Sequence, residues 1–186
     1  FDVILKMPAD PLSRAVALHG LGKMTIHDGE FKKGLGLMEA SVKAYPLALA
    51  YRNLAVYWHS EGDLVKSDVY TKQALTLDPK DPFNLIFAAA FMAGNGHGED
   101  ALKVAKEHES LLCASYNLAA IYAQTGDTKK ALEMLKRQFF DYERYQSVRS
   151  KEMMEARVDI VFASLMKDPE FLAMTAGADG KLPMWK

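Results

Sequence analysis

The fold is indicated most clearly by residues 51–63, which read Tyr51-Arg52-Asn53-Leu54-Ala55-Val56-Tyr57-Trp58-His59-Ser60-Glu61-Gly62-Asp63. Leu54 and Trp58 stand four residues apart, which is the spacing of one face of an α-helix. Gly62 then predicts a turn, because glycine adopts turn conformations that other residues avoid. A second stretch with helical spacing follows, so the segment predicts two helices joined by a short turn.

The same pattern occurs four times along the chain. Turn glycines recur at Gly29, Gly62, Gly96 and Gly126, in steps of 33, 34 and 30 residues. The seventh residue before each glycine and the fifth residue after it are small: Gly22, Ala55, Ala89 and Ala119 before, and Gly34, Ser67, Ala101 and Ala131 after. Small residues at fixed places on both helices predict a close approach between them. Since one hairpin cannot bury its apolar stripe alone, we expect neighbouring hairpins to stack.

These repeats resemble the tetratricopeptide repeat (TPR) family, whose pattern W-x2-L-G-x2-Y, A-x3-F and P recurs about every 34 residues. The match is fullest in the second repeat (Tyr51 to Trp58, Gly62-Asp63, Asp78-Pro79) and the fourth (Tyr116 to Tyr122, Gly126-Asp127, Ala131). The resemblance implies an all-α fold: an α-solenoid of about four helix hairpins in a right-handed superhelix, with a C-terminal capping helix.

On this basis the chain divides into an N-terminal arm (1–10), a TPR array (11–145), capping helices (146–175) and an irregular tail (176–186). The repeats are expected at about 15–47, 48–81, 82–111 and 112–145. In the third repeat, Gly94 to Gly98 replaces the usual turn and leaves room for only about ten residues of second helix.

Three helix starts share one dipeptide: Asp10-Pro11, Asp81-Pro82 and Asp168-Pro169. Asp accepts hydrogen bonds from the free amides of a helix start, and Pro there lacks only a donor that has no partner. Residues Val148 to Lys167 have the spacing of one capping helix, followed by a short turn from Pro169 to Thr175.

Both ends of the chain are apolar. Phe1 to Met7 is too short for a helix with its own stability, so we expect it to pack along the first hairpin or dock on a partner. Met184 and Trp185 are expected to fold back or to bind a partner.

Composition excludes several function classes. The 23 basic and 24 acidic residues leave the 186-residue chain near neutral, which favours neither nucleic acid nor an anionic membrane as a partner. The single cysteine, Cys113, excludes an internal disulfide. No run of about eighteen apolar residues occurs, so we expect a soluble protein without direct membrane insertion. The first residue is Phe1 and not Met, which leaves open whether the chain is cytoplasmic or exported after removal of a signal peptide.

No catalytic constellation emerges, so we expect neither an enzyme nor a cofactor. Gly94 to Glu99 superficially resembles a phosphate-binding loop but lacks its Lys-Ser/Thr pair and a preceding strand. His19 and His27 raise a metal hypothesis. However, the neighbouring Lys23 and Arg52 would repel a cation, and no carboxylate or thiolate completes a ligand set, so no metal is expected. A histidine-dependent pH switch in this cluster stays open.

The TPR resemblance places a concave groove on the first helix of each hairpin. The candidate peptide-binding residues of that groove are His19, Lys23, His27, Arg52, Asn53, Val56, His59, Phe83, Phe87, Tyr116 and Asn117. They run from a basic end through an apolar, aromatic middle to a small polar end. Such a groove suits an extended or helical peptide that offers apolar anchors and an acidic group. The alternative is that the aromatic residues pack between hairpins and the charges are solvated.

The expected function is protein-protein interaction, as an adaptor or assembly factor that binds a partner peptide in the groove. TPR domains that hold the C-terminal carboxylate of heat-shock chaperones need two cations in the third hairpin. Asn53 matches their clamp, but Phe83 and Phe87 stand where those cations are required, so this ligand is disfavoured. The alternative function is a structural subunit of a larger complex, held through its convex face and apolar termini, with the groove empty or filled by the chain's own tail.

Overall fold

The computed structural model describes residues 2–6 and 10–176 of the chain, and every regular element in them is helical. The α-helices are α1 Asp2–Lys6, α2 Pro11–His27, α3 Phe31–Ala44, α4 Ala48–Ser60, α5 Leu64–Leu77, α6 Pro82–Gly94, α7 Gly98–Glu107, α8 Ser115–Gln124, α9 Thr128–Lys136, α10 Gln146–Val158 and α11 Pro169–Met174. Two 3-10 helices, Leu112–Ala114 and Ile160–Leu165, and one π-helix, Arg137–Tyr142, lie between them. The all-α fold class is confirmed, whereas the superhelical arrangement stays a prediction.

Tight turns join the helices into four hairpins, α2–α3, α4–α5, α6–α7 and α8–α9. The turn residues Gly29, Gly62, Gly96 and Gly126 have φ between 80° and 90°. Among the described residues, these four alone have positive φ, a region in which a Cβ atom is strongly disfavoured. The turn positions expected from the sequence are therefore confirmed. Helix α7 has ten residues, the short length expected for the third hairpin.

The small residues mark close contacts between the helices of a hairpin. A Cβ atom on Gly34 would lie 2.4 Å from Cγ1 of Ile26 and 2.6 Å from the carbonyl oxygen of Gly22. In the second hairpin Ser67 replaces that glycine, and its hydroxyl donates to the Ala55 carbonyl at 2.9 Å. Helix backbones approach closely at the same repeat position in both hairpins, so small residues are required there.

The three Asp-Pro dipeptides begin helices as predicted. Asp10 accepts a hydrogen bond from the Ser13 amide at the start of α2. Asp81 accepts from the Asn84 amide at the start of α6, and Asp168 accepts from the Phe171 amide at the start of α11. Each carboxylate thereby satisfies amides that have no partner within the helix.

The described residues form two compact units, which divide between Pro79 and Lys80. Unit 1 contains α1 to α5, with α1 lying against α2. Its largest buried cluster is formed by Ile26, Leu35, Met38 and Leu54. Unit 2 contains α6 to α11 and has a larger core. That core extends from α6 to α11 and includes Ile86, Leu118, Ile121, Leu135, Phe139, Phe162, Leu165 and Phe171.

The prediction that one continuous capping helix runs from about Val148 to Lys167 is wrong. Helix α10 ends at Val158, and a separate 3-10 helix begins at Ile160. Asp159 between them is extended, with φ −76° and ψ 119°, and its carboxylate accepts a hydrogen bond from the Val161 amide at 3.2 Å. The preference of Asp for a helix start outweighs the apolar spacing that continues through it. Residues 177–186 of the expected tail, and with them the role expected of Met184 and Trp185, lie outside the described residues.

Candidate functional site

The first helices of unit 1 carry seven of the eleven predicted groove residues. We use the name α2/α4 face for one side of these two helices, where exposed and half-buried side chains lie together: Val16, His19, Lys23 and His27 on α2, and Leu49, Arg52, Asn53, Val56 and His59 on α4. On each helix the spacing of three, four and seven residues places these side chains on one side. The repeat register, applied to both hairpins, therefore predicts most of this face.

A hydrogen bond joins the two helices across this face. Nδ2 of Asn53 lies 2.8 Å from Nε2 of His19, a pair separated by one repeat in the sequence. Because the amide nitrogen can only donate, the imidazole nitrogen must be the acceptor and therefore unprotonated. Burial, and then the charge of Lys23, lower the pKa of His19 below its ordinary value of 6.5. Both effects favour the neutral ring that this bond requires.

The ionisable side chains that belong to α2 and α4 themselves are basic or histidine, apart from tyrosine. Helices α2 and α4 contain no Asp or Glu, while they carry Arg14, Lys23, Arg52 and three histidines. The acidic residues of unit 1 lie instead at helix starts, in turns and on the second helices, as at Asp63 and Asp68. The face consequently favours carboxylates and disfavours cations.

Three apolar side chains on this face remain open to solvent. Val16 is 49% exposed, Leu49 is 53% exposed and Val56 is 45% exposed. Val16 was missed in the sequence prediction, although a signal was present. It stands thirteen residues before Gly29, as Leu49 stands thirteen residues before Gly62. Cations and exposed apolar groups thus lie on the same side of α2 and α4.

In unit 2 the predicted aromatic residues are used internally. Phe87 is only 6% exposed, and its ring centroid lies 5.0 Å from that of Phe91. Phe83 is half-buried and packs against the core of the unit. Both rings were expected to be accessible apolar anchors for a peptide, but little of their surface is left exposed for such contact. Helical spacing predicted which side these residues take, but spacing cannot show how much of each ring the neighbouring side chains cover.

Tyr116 is held by the segment that follows the fourth hairpin. Its hydroxyl donates to Oδ2 of Asp159 at 3.2 Å, and its ring meets the Phe162 ring edge-on with centroids 5.2 Å apart. Burial, with the charges of Asp159 and Glu155, raises the pKa of Tyr116 well above its usual range. Tyr116 therefore offers little to a partner, while Asn117 beside it is half-buried.

Across residues 2–6 and 10–176, no group of three or more His, Cys, Asp and Glu side chains is arranged to hold a metal ion. The same residues include no helix that combines the length and the apolar character needed to cross a membrane. Comparison with protein-family models and with curated proteins finds no match to this chain.

Proposed function

We propose that the chain is a protein-binding module of the TPR type, an adaptor or assembly factor, that binds an acidic and partly apolar polypeptide segment on the α2/α4 face. The observation that carries this proposal is that basic side chains and exposed apolar side chains lie together on one side of α2 and α4. Basic residues lie there with no carboxylate on either helix, and they accompany three exposed apolar side chains. A surface of this kind complements a segment of opposite charge that also offers apolar groups.

Each group has a distinct part in the proposed complex. Lys23 and Arg52 attract the carboxylates of the segment and speed its approach. Leu49 and Val56 supply apolar contact area that excludes water. Asn53 donates through Nδ2 to His19, which directs its amide plane and leaves Oδ1 as an acceptor for a peptide N–H group.

The test is a selection of binding peptides from a displayed random library against the full chain. We expect the enriched peptides to be acidic, with apolar residues between the acidic ones. Lys23→Glu should raise the dissociation constant about tenfold, chiefly by slowing association. Lys32→Glu is the matched control, because Lys32 is an exposed lysine on α3, a helix that contributes no residue to the face. Enrichment of basic peptides, or an equal effect of the two substitutions, would contradict the proposal.

The structural-subunit function is supported by a different surface. Val65 on α5 is 77% exposed, and Leu64 and Val69 on the same helix are also exposed. Helix α5 is the second helix of its hairpin, and exposed apolar residues there are suited to a permanent contact with another subunit. Removal of residues 176–186 separates the two functions. Loss of assembly with a retained fold favours the structural subunit, whereas tighter peptide binding favours a binding face that the tail blocks.

A further inference from the structure

A cavity in unit 1 lies among the second helices α3 and α5, together with α4. Its volume is about 260 Å³, and it is lined by Glu39, Val42, Lys43, Tyr51, Tyr70 and Gln73. None of these residues belongs to the α2/α4 face. The cavity is smaller than the roughly 300 Å³ at which small-molecule pockets usually begin, so its volume suits one side chain better than a larger ligand.

One carboxylate in the cavity is held in place. The Tyr70 hydroxyl donates to Oε1 of Glu39 at 3.1 Å. Burial, and then the charge of Glu39, raise the pKa of Tyr70 to about 12, so the hydroxyl keeps its proton at ordinary pH. Tyr70 thus fixes the carboxylate through one oxygen, and Oε2 remains for a donor that enters the cavity. A fixed negative charge costs less conformational entropy on binding than a mobile one.

Two tyrosine rings line the cavity together with this carboxylate. The rings of Tyr51 and Tyr70 have centroids 6.2 Å apart and planes inclined by 29°. A tyrosine face attracts cations, and a planar guanidinium both stacks on such a ring and donates two hydrogen bonds to a carboxylate. Gln73, whose side-chain amide can accept a hydrogen bond, also lines the cavity. Arginine uses all three features, whereas the ammonium of lysine cannot stack.

Lys43 is the one cation among the lining residues, and it differs from Glu39 in mobility. It stands one turn after Glu39 on α3, is exposed, and ends a long flexible side chain. Lys43 can move into solvent when a cation enters, while Glu39 stays with Tyr70. We propose that this cavity takes a single arginine side chain of a partner polypeptide. Its charge preference is opposite to that of the α2/α4 face, and it involves different residues, so either site can be wrong without the other.

The test is an NMR titration of the full chain with two uncharged-backbone probes of the same shape, N-acetyl-arginine amide and N-acetyl-citrulline amide. We expect saturable shifts at Tyr51 and Tyr70 with the arginine probe, and binding at least about tenfold weaker with the neutral citrulline probe. Glu39→Gln should weaken arginine binding by about the same factor. Tyr70→Phe, which keeps the ring but frees the carboxylate, should weaken it less.

Lys43→Ala should change the affinity for the arginine probe in the opposite direction to Glu39→Gln. Lys43 is exposed, so the substitution leaves the core intact. It should tighten binding of the arginine probe, because it removes the one opposing charge. Equal binding of the two probes would overturn the proposal. So would weaker arginine binding by Lys43→Ala together with saturable binding of N-acetyl-glutamate amide, since that result assigns the cavity to an anion.

Discussion

His19 in unit 1 and Tyr116 in unit 2 occupy the same repeat position, ten residues before the turn glycine. Each makes a hydrogen bond to the segment that follows its own hairpin. His19 accepts from Asn53 on α4, and Tyr116 donates to Asp159, which precedes the 3-10 helix Ile160–Leu165. In these two repeats the position is the same, and the residue type determines which hydrogen bond forms there and whether it depends on pH.

The first helices of the two units differ in the same way. Helices α6 and α8 contain no Asp, Glu, Lys or Arg, and most of their side chains are buried. Helices α2 and α4 keep basic residues and leave apolar groups exposed. Unit 2 uses its first helices for its own core, whereas unit 1 retains a surface suited to a partner. The repeat pattern alone does not distinguish these uses.

The largest expected effect concerns Phe162, in the 3-10 helix Ile160–Leu165 of unit 2. Phe162 is fully buried and contacts the rings of Tyr116 and Phe171. Phe162→Ala should therefore cost about 4 kcal/mol of unfolding free energy through lost burial and a cavity. Hydrogen exchange at the amides of α8 would measure this loss locally.

Ile160→Ala is the matched control in the same 3-10 helix. Ile160 is 69% exposed, so its truncation should change stability by no more than about 0.5 kcal/mol. If Phe162→Ala left exchange in α8 unchanged, the proposed contribution of Phe162 to the packing of α8 would be contradicted.

The next effect concerns the close contact between α2 and α3. Gly34→Ala introduces the residue type that Ala101 and Ala131 supply at this position in unit 2, but here it would collide with the backbone of Gly22. We expect a loss of about 2 to 3 kcal/mol, measured by chemical denaturation. Gly36→Ala in the same helix has no atom within 4 Å of the new Cβ. It should stabilise the chain by about 0.5 to 1 kcal/mol, because alanine loses less backbone entropy in a helix. The same sign for both substitutions would contradict a tight contact.

A smaller effect is the pH dependence of unit 1. The pKa of His19 is lower in the folded state than its ordinary value of 6.5, so folding favours the neutral ring. The resulting stability is fully present above pH 6.5 and is lost as the pH falls through the folded-state pKa. Histidine NMR titration should show the lowered pKa, and Lys23→Gln should raise it only in part, because burial is the larger cause. His19→Gln should remove this component of the pH dependence. At the equivalent position, Tyr116 keeps its proton over the pH range in which His19 titrates, because its pKa is raised well above its usual value. Tyr116 is therefore expected to add nothing to the pH dependence of stability in that range.

Local sequence signals predicted much of the fold. The turn glycines and the three Asp-Pro helix starts are confirmed because each depends on the conformational preference of one or two residues. The capping helix was wrong at Asp159, where a polar side chain competes locally with apolar spacing. The coverage of Phe87 could not be predicted, because it depends on neighbours that are distant in the sequence.

The candidate face was predicted in the same uneven way. Helical spacing within the hairpins placed His19, Lys23, Arg52 and Asn53 on one side. It did not reveal the bond between His19 and Asn53. Helical spacing indicates which side of its own helix a residue takes, but it does not give the distance between residues on two different helices. Val16 and Leu49 both stand thirteen residues before a turn glycine, so the repeat period contained a signal for Val16.

The most direct test of the α2/α4 face is NMR shift mapping of the full chain with an acidic peptide obtained from the library selection. The account predicts that the largest shifts fall on Val16, Leu49, Asn53 and Val56, and that Lys23→Glu reduces them at every peptide concentration below saturation. Largest shifts on Phe83, Phe87 or Tyr116 in unit 2, with α2 and α4 unchanged, would contradict it.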